Sequence, residues 1–162
     1  NVDNYLFLTE ARFEDAIHVT RELPGDLTRL RLPPLILQPI VENAVRHAMR
    51  EEGVLHIDIH VTREDGDVLI AVADDGVGME QAAVDAMLAK AEGFSTEEKG
   101  TGIALRNVAE RLERFFGVGS GVDIVSRPDE GTVVTLRLAA VEGSDPDGAD
   151  VPEAAGIGNG VQ

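Results

Sequence analysis

The sequence predicts a two-layer α/β sandwich, in which one mixed, mainly antiparallel sheet carries helices on a single face. Three observations lead there. Residues 54–61 alternate strictly between apolar and polar side chains from Leu55 on. Residues 68–73, VLIAVA, are apolar throughout and follow after one tight turn. Helical patterns then separate this pair from two further strand patterns at 122–126 and 133–139.

The elements follow in order. Residues 1–20 read as an amphipathic helix with Leu6, Phe13 and Ile17 near one face and His18 at its end. Pro24 and Gly25 break the chain, and residues 27–32 suit a short strand. Pro33 and Pro34 start a helix that runs from Leu35 to about Arg50. Pro39 sits early in it, where a missing amide matters least. In 54–61, Leu55, Ile57, Ile59 and Val61 point one way and His56, Asp58 and His60 the other, as in a half-buried strand. Asp65-Gly66 is a hairpin turn, and the run after it reads as a central strand ended by Asp74. Residues 80–91 suit a short helix. Residues 92–101 are polar and glycine-containing and read as a mobile loop. A helix follows from Gly102 to Phe116, stopped by Gly117. The two late strands are joined by the turn RPDEGT. The order is therefore helix, helix, two strands, helix, helix, two strands.

Composition bounds the function. The 162 residues divide into an N-terminal helix over 1–20, one domain over 21–140 and a disordered acidic tail over 141–162. A hydrophobic fraction of 43% allows a real core. A net charge of −16 argues against nucleic acid and anionic membrane as partners, since both need a basic face. An acidic chain still binds a polyanion through backbone amides, a metal ion or a few local cations. Cysteine is absent, which excludes a disulfide framework and fits a reducing cytoplasm. No apolar run approaches the ~20 residues of a membrane span. The chain begins with Asn1, so it is read as a piece of a longer protein, which can carry inner-membrane segments of its own.

Four clusters carry possible chemistry. The first is ENAVRH, Glu42 to His47, on a helix. Asn43, Arg46 and His47 lie at i, i+3 and i+4 and can converge on one spot. An amide oxygen suits Mg²⁺ and the cations suit phosphate; a solvated helix face or a buried hydrogen-bonded Asn gives the same pattern. The second is DDGVGM, Asp74 to Met79, after the most apolar strand. A strand-end carboxylate can accept from an exocyclic amine such as that of adenine. Gly76 and Gly78 let a flat ring approach the backbone, and Met79 offers a soft wall. A plain surface turn uses the same residues. The third is KGTGIAL, Lys99 to Leu105, a loop that can expose amides to phosphate at a helix start. It lacks the lysine-hydroxyl pair of a P-loop, and Leu105 stands where a dinucleotide fingerprint needs its third glycine. The fourth is Gly131-Thr132 between the late strands, an ordinary turn when taken alone.

Taken together the clusters resemble the Bergerat ATP-binding fold of gyrase-type ATPases, Hsp90, histidine kinases and MutL. Within that group the chain is similar to the LytS-type sensor histidine kinases over residues 1–139. Tyr5-Leu6, Arg12-Phe13, LPPLILQPIVENAVRH, DDGVGM, GTGIALRNVAERL and Gly131-Thr132 carry the likeness. The resemblance implies a protein-histidine kinase domain that binds ATP and Mg²⁺. Asn43 would ligate the metal, with Arg46 and His47 near the phosphates. Asp74 would read the adenine amino group, beside Gly76, Gly78 and Met79. Lys99, Gly100, Thr101 and Gly102 would belong to a lid that orders with nucleotide, Ile103 and Leu105 would adjoin it, and Thr132 would support the adenine through water.

The likeness has two departures. Gyrase-like members place a water-activating glutamate where Pro39 stands here, which argues for transfer over hydrolysis. Glu42 is the candidate catalytic carboxylate, but its helix direction differs from that of Asn43 by about 100°. Ala104 replaces a family glycine at little expected cost.

The acceptor histidine would lie in a dimerisation segment upstream. His47 belongs to the nucleotide block, and His56 and His60 flank Asp58 on a solvated strand face. A homodimeric parent and a response regulator are the partners the resemblance implies. The alternatives are an anti-sigma-factor-type serine kinase on the same fold and a nucleotide-gated binding module without transfer.

Overall fold

The computed structural model describes residues 17–22, 32–33, 36–48, 53–89 and 96–139. They form strand β1 (Ile17–Glu22), helix α1 (Gln38–Ala48), strands β2 (Leu55–Glu64) and β3 (Asp67–Asp74), helices α2 (Gln81–Leu88) and α3 (Thr96–Phe116), and strands β4 (Gly121–Arg127) and β5 (Gly131–Leu138). The sheet order is β1-β2-β3-β5-β4. β1 runs parallel to β2, and every other neighbouring pair is antiparallel. This is the expected mixed, mainly antiparallel sheet, with the apolar run of β3 at its centre.

Period two decides which face is buried. Along β2, Leu55, Ile57, Ile59 and Val61 are buried while the residues between them are exposed. Val68, Ile70 and Val72 continue that face on β3, and Leu136 and Leu138 continue it on β5. α1 packs over β2, β3 and β5, α2 over β4, and α3 over β4 and β5. Ile40, Val41, Val84 and Leu112 fill the space between the layers. Each such side chain stabilises the fold by roughly 1.5–3 kcal/mol relative to exposure.

The turns are locally encoded. Glu64 pairs with Asp67, so Asp65-Gly66 is a two-residue loop. Its φ angles of +50° and +92° are the double positive pair that a right-twisted hairpin needs. Gly117, at φ +90°, ends α3 by donating its amide to the Glu113 carbonyl at 2.8 Å. The amide-free Pro39 falls in the first turn of α1, where no helical partner is lost.

Two expectations are corrected. The amphipathic helix over 1–20 does not reach its proposed end, because Ile17–Glu22 is a strand and His18 sits in it. Val19 is buried between exposed His18 and Thr20, which is strand periodicity, and the parallel edge of β2 supplies the partner. The loop expected over 92–101 is also corrected from Thr96 onward, residues 92–95 lying outside the described residues. α3 begins at Thr96 and takes in Gly100, Thr101 and Gly102. Gly102 packs against α2, where an added Cβ would meet the Met87 carbonyl oxygen at 2.8 Å, so tertiary contact overrides the weak helix propensity of glycine. The strand expected over 27–32 falls almost wholly outside the described residues, as do residues 1–16 and the tail from 141.

Candidate functional site

Asp74 is the last residue of β3. It lies two positions after buried Val72, so its side chain faces the helix layer. Across the sheet it is paired with Thr132, the second residue of β5. Above it, α1 places Asn43 next to Ile40 and Ala44 on the helix's inner side. Asp74 and Asn43 therefore line one cleft, which holds about 590 Å³ including its open mouth.

Three polar side chains, Asn43, Asp74 and Thr132, converge in an otherwise apolar lining. Ile40 and Ala44 come from α1, Val72 from β3, and Gly78 and Met79 from the loop after β3. Met87 of α2, Leu105 of α3, Ile124 of β4 and Val134 of β5 close the rest. An apolar slot with a few placed polar groups suits a flat heteroaromatic ring.

Asp74 and its neighbour are tuned in opposite directions. Burial raises the Asp74 carboxyl above the usual carboxylate range, with a smaller push from the charge of Asp75. The backbone N–H groups of Gly76 and Thr132 donate to it and hold part of that rise back, the Gly76 contact being 3.0 Å. Asp75 points away from the cleft. Partial burial would raise it, but the hydrogen bonds and charge of His56 outweigh that and lower it. The His56 amide donates to Asp75 Oδ1 at 2.9 Å, and His56 Nδ1 lies 2.8 Å from Oδ2. One aspartate thus faces the cleft while the next anchors the loop to β2.

The same loop is clamped to the β4–β5 turn. Gly78 has φ +60°, and a Cβ there would meet the Arg127 carbonyl oxygen at 1.9 Å. Its glycine is demanded by this backbone approach as well as by its place in the cleft wall. The Asp129 amide donates to the Val77 carbonyl at 2.7 Å. The Met79 amide donates to Ser126 Oγ at 2.9 Å.

Asn43 carries the other notable feature. Its Nδ2 is buried and has no hydrogen-bond partner among the described residues. The two ends of an amide are assigned by their surroundings, so the buried, unpaired end can be either the oxygen or the nitrogen. An unpaired buried amide costs about 1–3 kcal/mol, which a ligand contact would offset. Asn43 offers Mg²⁺ a single neutral oxygen, and no group of three metal-binding side chains occurs among the described residues. Mg²⁺ takes few protein ligands when phosphate oxygens and water supply the rest. The residues present therefore fit Mg²⁺ arriving with a nucleotide.

The remaining sequence candidates are placed less centrally. Glu42 is exposed, accepts from Gln38 Nε2 at 2.8 Å and does not line the cleft. Arg46 is exposed one turn beyond Asn43, and the side chain of His47 lies outside the described residues. Gly76 spends its amide on Asp74 and does not line the cleft. Gly100 is exposed and Ile103 half-exposed, while the side chains of Lys99 and Thr101 lie outside the described residues. The Lys99–Gly102 amides sit within a helix here, so they are not the open phosphate loop expected from the sequence. On the outer sheet face His56 pairs with Asp75, His60 with Glu22 at 3.3 Å, and Asp58 accepts from Thr20.

Sequence reasoning named Gly78, Met79 and Leu105, which line the cleft, but missed its other apolar residues and the residue behind it. Ile40 and Ala44 flank Asn43 at helical spacing, and Val134 lies two residues beyond Thr132 on one strand face, so both were readable from period. Ser126 is 2% exposed, a polar residue at an inward position on β4. That break in the strand's apolar alternation was its signal.

The family model described as histidine kinase-, DNA gyrase B-, and HSP90-like ATPase matches residues 28–142. The chain belongs to this family. The LytS sensor protein of Bacillus anthracis is 34% identical over 146 residues, covering 90% of this chain and 24% of that protein. The sensor histidine kinase BtsS of Escherichia coli K12 is 30% identical over 141 residues, covering 85% of this chain and 22% of that protein. The chain thus spans about a quarter of the length of these relatives. Among solved structures, the histidine kinase domain of the Erythrobacter litoralis EL346 blue-light activated kinase superposes with a TM-score of 0.53 at 16% identity. It covers 83% of this chain and 63% of that one. The Acinetobacter baumannii histidine kinase AdeS gives 0.55 at 13% identity, over 86% and 63%. These two establish the fold. The family's ATPase character and its sensor-kinase relatives make the chain an ATP-binding catalytic domain of histidine-kinase type. No helix among the described residues is long and apolar enough to cross a membrane.

Proposed function

We propose that this domain binds ATP·Mg²⁺ with the adenine against Asp74 and directs its γ-phosphate to a histidine outside this chain. The observation that carries the reading is the shared cleft. The Asp74 carboxylate and the Asn43 amide line the same otherwise apolar slot. Asp74 accepts from the 6-amino group, Met79 and Val72 face the ring, and Thr132 supports it. Asn43 Oδ1 and the phosphate oxygens would hold the ion, which when bound neutralises charge on the phosphates. Arg46 and His47 lie beyond Asn43 on the same helix, toward the phosphates. Lys99 to Gly102, with Ile103, act as the lid, and Leu105 packs below it.

The chemistry is positioning. A lone pair of the acceptor imidazole forms the P–N bond, the bond from the γ-phosphorus to the bridging oxygen breaks, and ADP leaves. Asp74 is the cleft's only carboxylate among the described residues, and in this reading the adenine takes it up. Pro39 has no acid function and Glu42 is engaged by Gln38. A water-activating base is thus missing from the described cleft, which favours transfer over hydrolysis. The acceptor histidine belongs to an upstream dimerisation segment of a homodimeric, cytoplasm-facing kinase, and a response regulator takes the phosphate onward.

Calorimetry with ATP and Mg²⁺ on this chain beside Asp74→Asn tests the reading. Binding is expected in the first and largely lost in the second. Equal binding by both removes Asp74 from the adenine role. Transfer of labelled γ-phosphate to a supplied upstream segment tests the second half, and its absence with ATP bound reduces the domain to a nucleotide-gated module.

A further inference from the structure

Ser126 lies behind the cleft wall and lines none of it. Its hydroxyl oxygen has three neighbours. The Met79 amide donates to it at 2.9 Å. It reaches the Gly131 carbonyl oxygen at 3.1 Å. It also lies 2.8 Å from Thr132 Oγ1. Its backbone is pinned as well, since the Ser126 amide donates to Gln81 Oε1 at 3.0 Å and Gln81 Nε2 donates to the Ile124 carbonyl at 3.1 Å. A hydroxyl has one proton and two lone pairs. A carbonyl oxygen can only accept, so in its hydrogen bond with Gly131 the Ser126 hydroxyl is the donor. One lone pair is taken by Met79. The contact with Thr132 must then use the second lone pair, with Thr132 as the donor.

This assignment fixes the polarity of the cleft. With its proton committed to Ser126, Thr132 Oγ1 offers only lone pairs to a ligand. Asp74 beside it also accepts, being paired with Thr132 across β3 and β5. We propose that Ser126 is a specificity-determining positioning residue, which holds Thr132 as an acceptor and so makes the cleft select a 6-amino purine over a 6-oxo purine. A 6-amino group has two protons for two acceptors, directly or through one water. A 6-oxo group brings lone pairs to the same place and leaves buried acceptors unpaired, the arrangement by which polar sites reject near-isosteres. The inference rests on the placement of adenine at Asp74.

The test uses ATP and inosine triphosphate, which differ only in the 6-substituent and the proton on N1. Dissociation constants for both are measured on the unmodified chain, Ser126→Ala, Thr132→Val and the double variant, with thermal melts alongside. The unmodified chain is expected to prefer ATP. Ser126→Ala frees the Thr132 proton to turn into the cleft, and the ATP preference should fall about three- to tenfold, the worth of one hydrogen bond. Thr132→Val should lower it similarly, and the double variant should add nothing further. A general loosening of the wall would weaken both nucleotides together and leave their ratio unchanged, which overturns the inference. Should Ser126→Ala not fold, an unchanged ratio in Thr132→Val overturns it equally. Failure of the unmodified chain to bind ATP overturns the adenine placement itself, and this inference with it.

Discussion

A Cβ on Gly131 would stand 1.9 Å from the Asp74 carbonyl oxygen. The two strands carrying them pair one residue further on, at Asp74 and Thr132. The glycine of Gly131-Thr132 is therefore a packing requirement of the strand end that presents the carboxylate. Gly131 also has φ +97°, whereas Gly117 has φ +90° with open space where a Cβ would stand. Two alanine substitutions separate these effects. Gly117→Ala is expected to cost about 1–2 kcal/mol for backbone conformation alone and to leave ATP affinity unchanged. Gly131→Ala adds a backbone collision and should exceed it by at least ~1 kcal/mol, with weakened ATP binding. Urea unfolding with calorimetry checks both, and equal costs would contradict the close approach.

Adjacent Asp74 and Asp75 should give opposite pH signatures. The Asp74 pKa is raised in the folded state, so the folded protein binds that proton more tightly than the unfolded chain does. Its contribution is favourable below the unfolded value near ~3.9 and is lost as pH rises through the folded value. Asp74→Asn is therefore expected to raise the melting temperature of the nucleotide-free protein at pH 7 and not at pH 3, while removing ATP binding. A loss of stability at pH 7 would contradict the dominance of burial at this carboxyl.

Asp75 has a lowered pKa, so its contribution is present above the unfolded value and disappears as pH falls through the folded one. Asp75→Asn should lower the melting temperature at pH 7, and the difference from the unmodified chain should shrink as pH falls below the ordinary carboxylate value of about 3.9. Melting curves across that range decide it. A difference that persists in acid would place the effect in packing and not in the His56 pairing.

Asn43 should behave as a residue held for a ligand. Its amide has a buried, unpaired end, so removing it takes nothing from the described hydrogen bonding. Asn43→Ala is expected to leave the nucleotide-free protein as stable or up to ~1 kcal/mol more stable, by removing an unpaired buried amide, and to weaken ATP more with Mg²⁺ present than without. The same loss in both conditions would argue against metal ligation through this side chain.

How much of this was legible follows from where each signal lies in the chain. β2, the Asp65-Gly66 turn and β3 form one local hairpin, and period and turn chemistry settle it without distant partners. Asp74 and Asn43 were legible because strand and helix periodicity set their directions. β1 was not, because its six residues cover less than two helical turns and its partner lies 38 residues away, as in the Thr20–Asp58 contact. Ser126 was marked by the break in the apolar alternation of β4, but its link to Thr132 depends on a cross-strand register, which no local pattern reveals. The early start of α3 was hidden because Gly100 and Gly102 argue locally against helix.

That early start makes the last prediction. Gly100 lies inside α3, exposed, with open space around any added Cβ. Alanine there should stabilise the helix by roughly 0.5–1 kcal/mol through the reduced freedom of the unfolded chain. A lid that presents its amides to a triphosphate must open the hydrogen bonds the helix makes at these residues, so the two conformations compete. A ligand that needs the minor form binds more weakly by the factor that separates them. Gly100→Ala is expected to raise the melting temperature of the nucleotide-free protein and to weaken ATP about two- to fivefold, with ADP affected less because fewer phosphate contacts are lost. A parallel gain in stability and in ATP affinity would show that residues 96–102 stay helical over the nucleotide, and that the lid closes as a rigid helix.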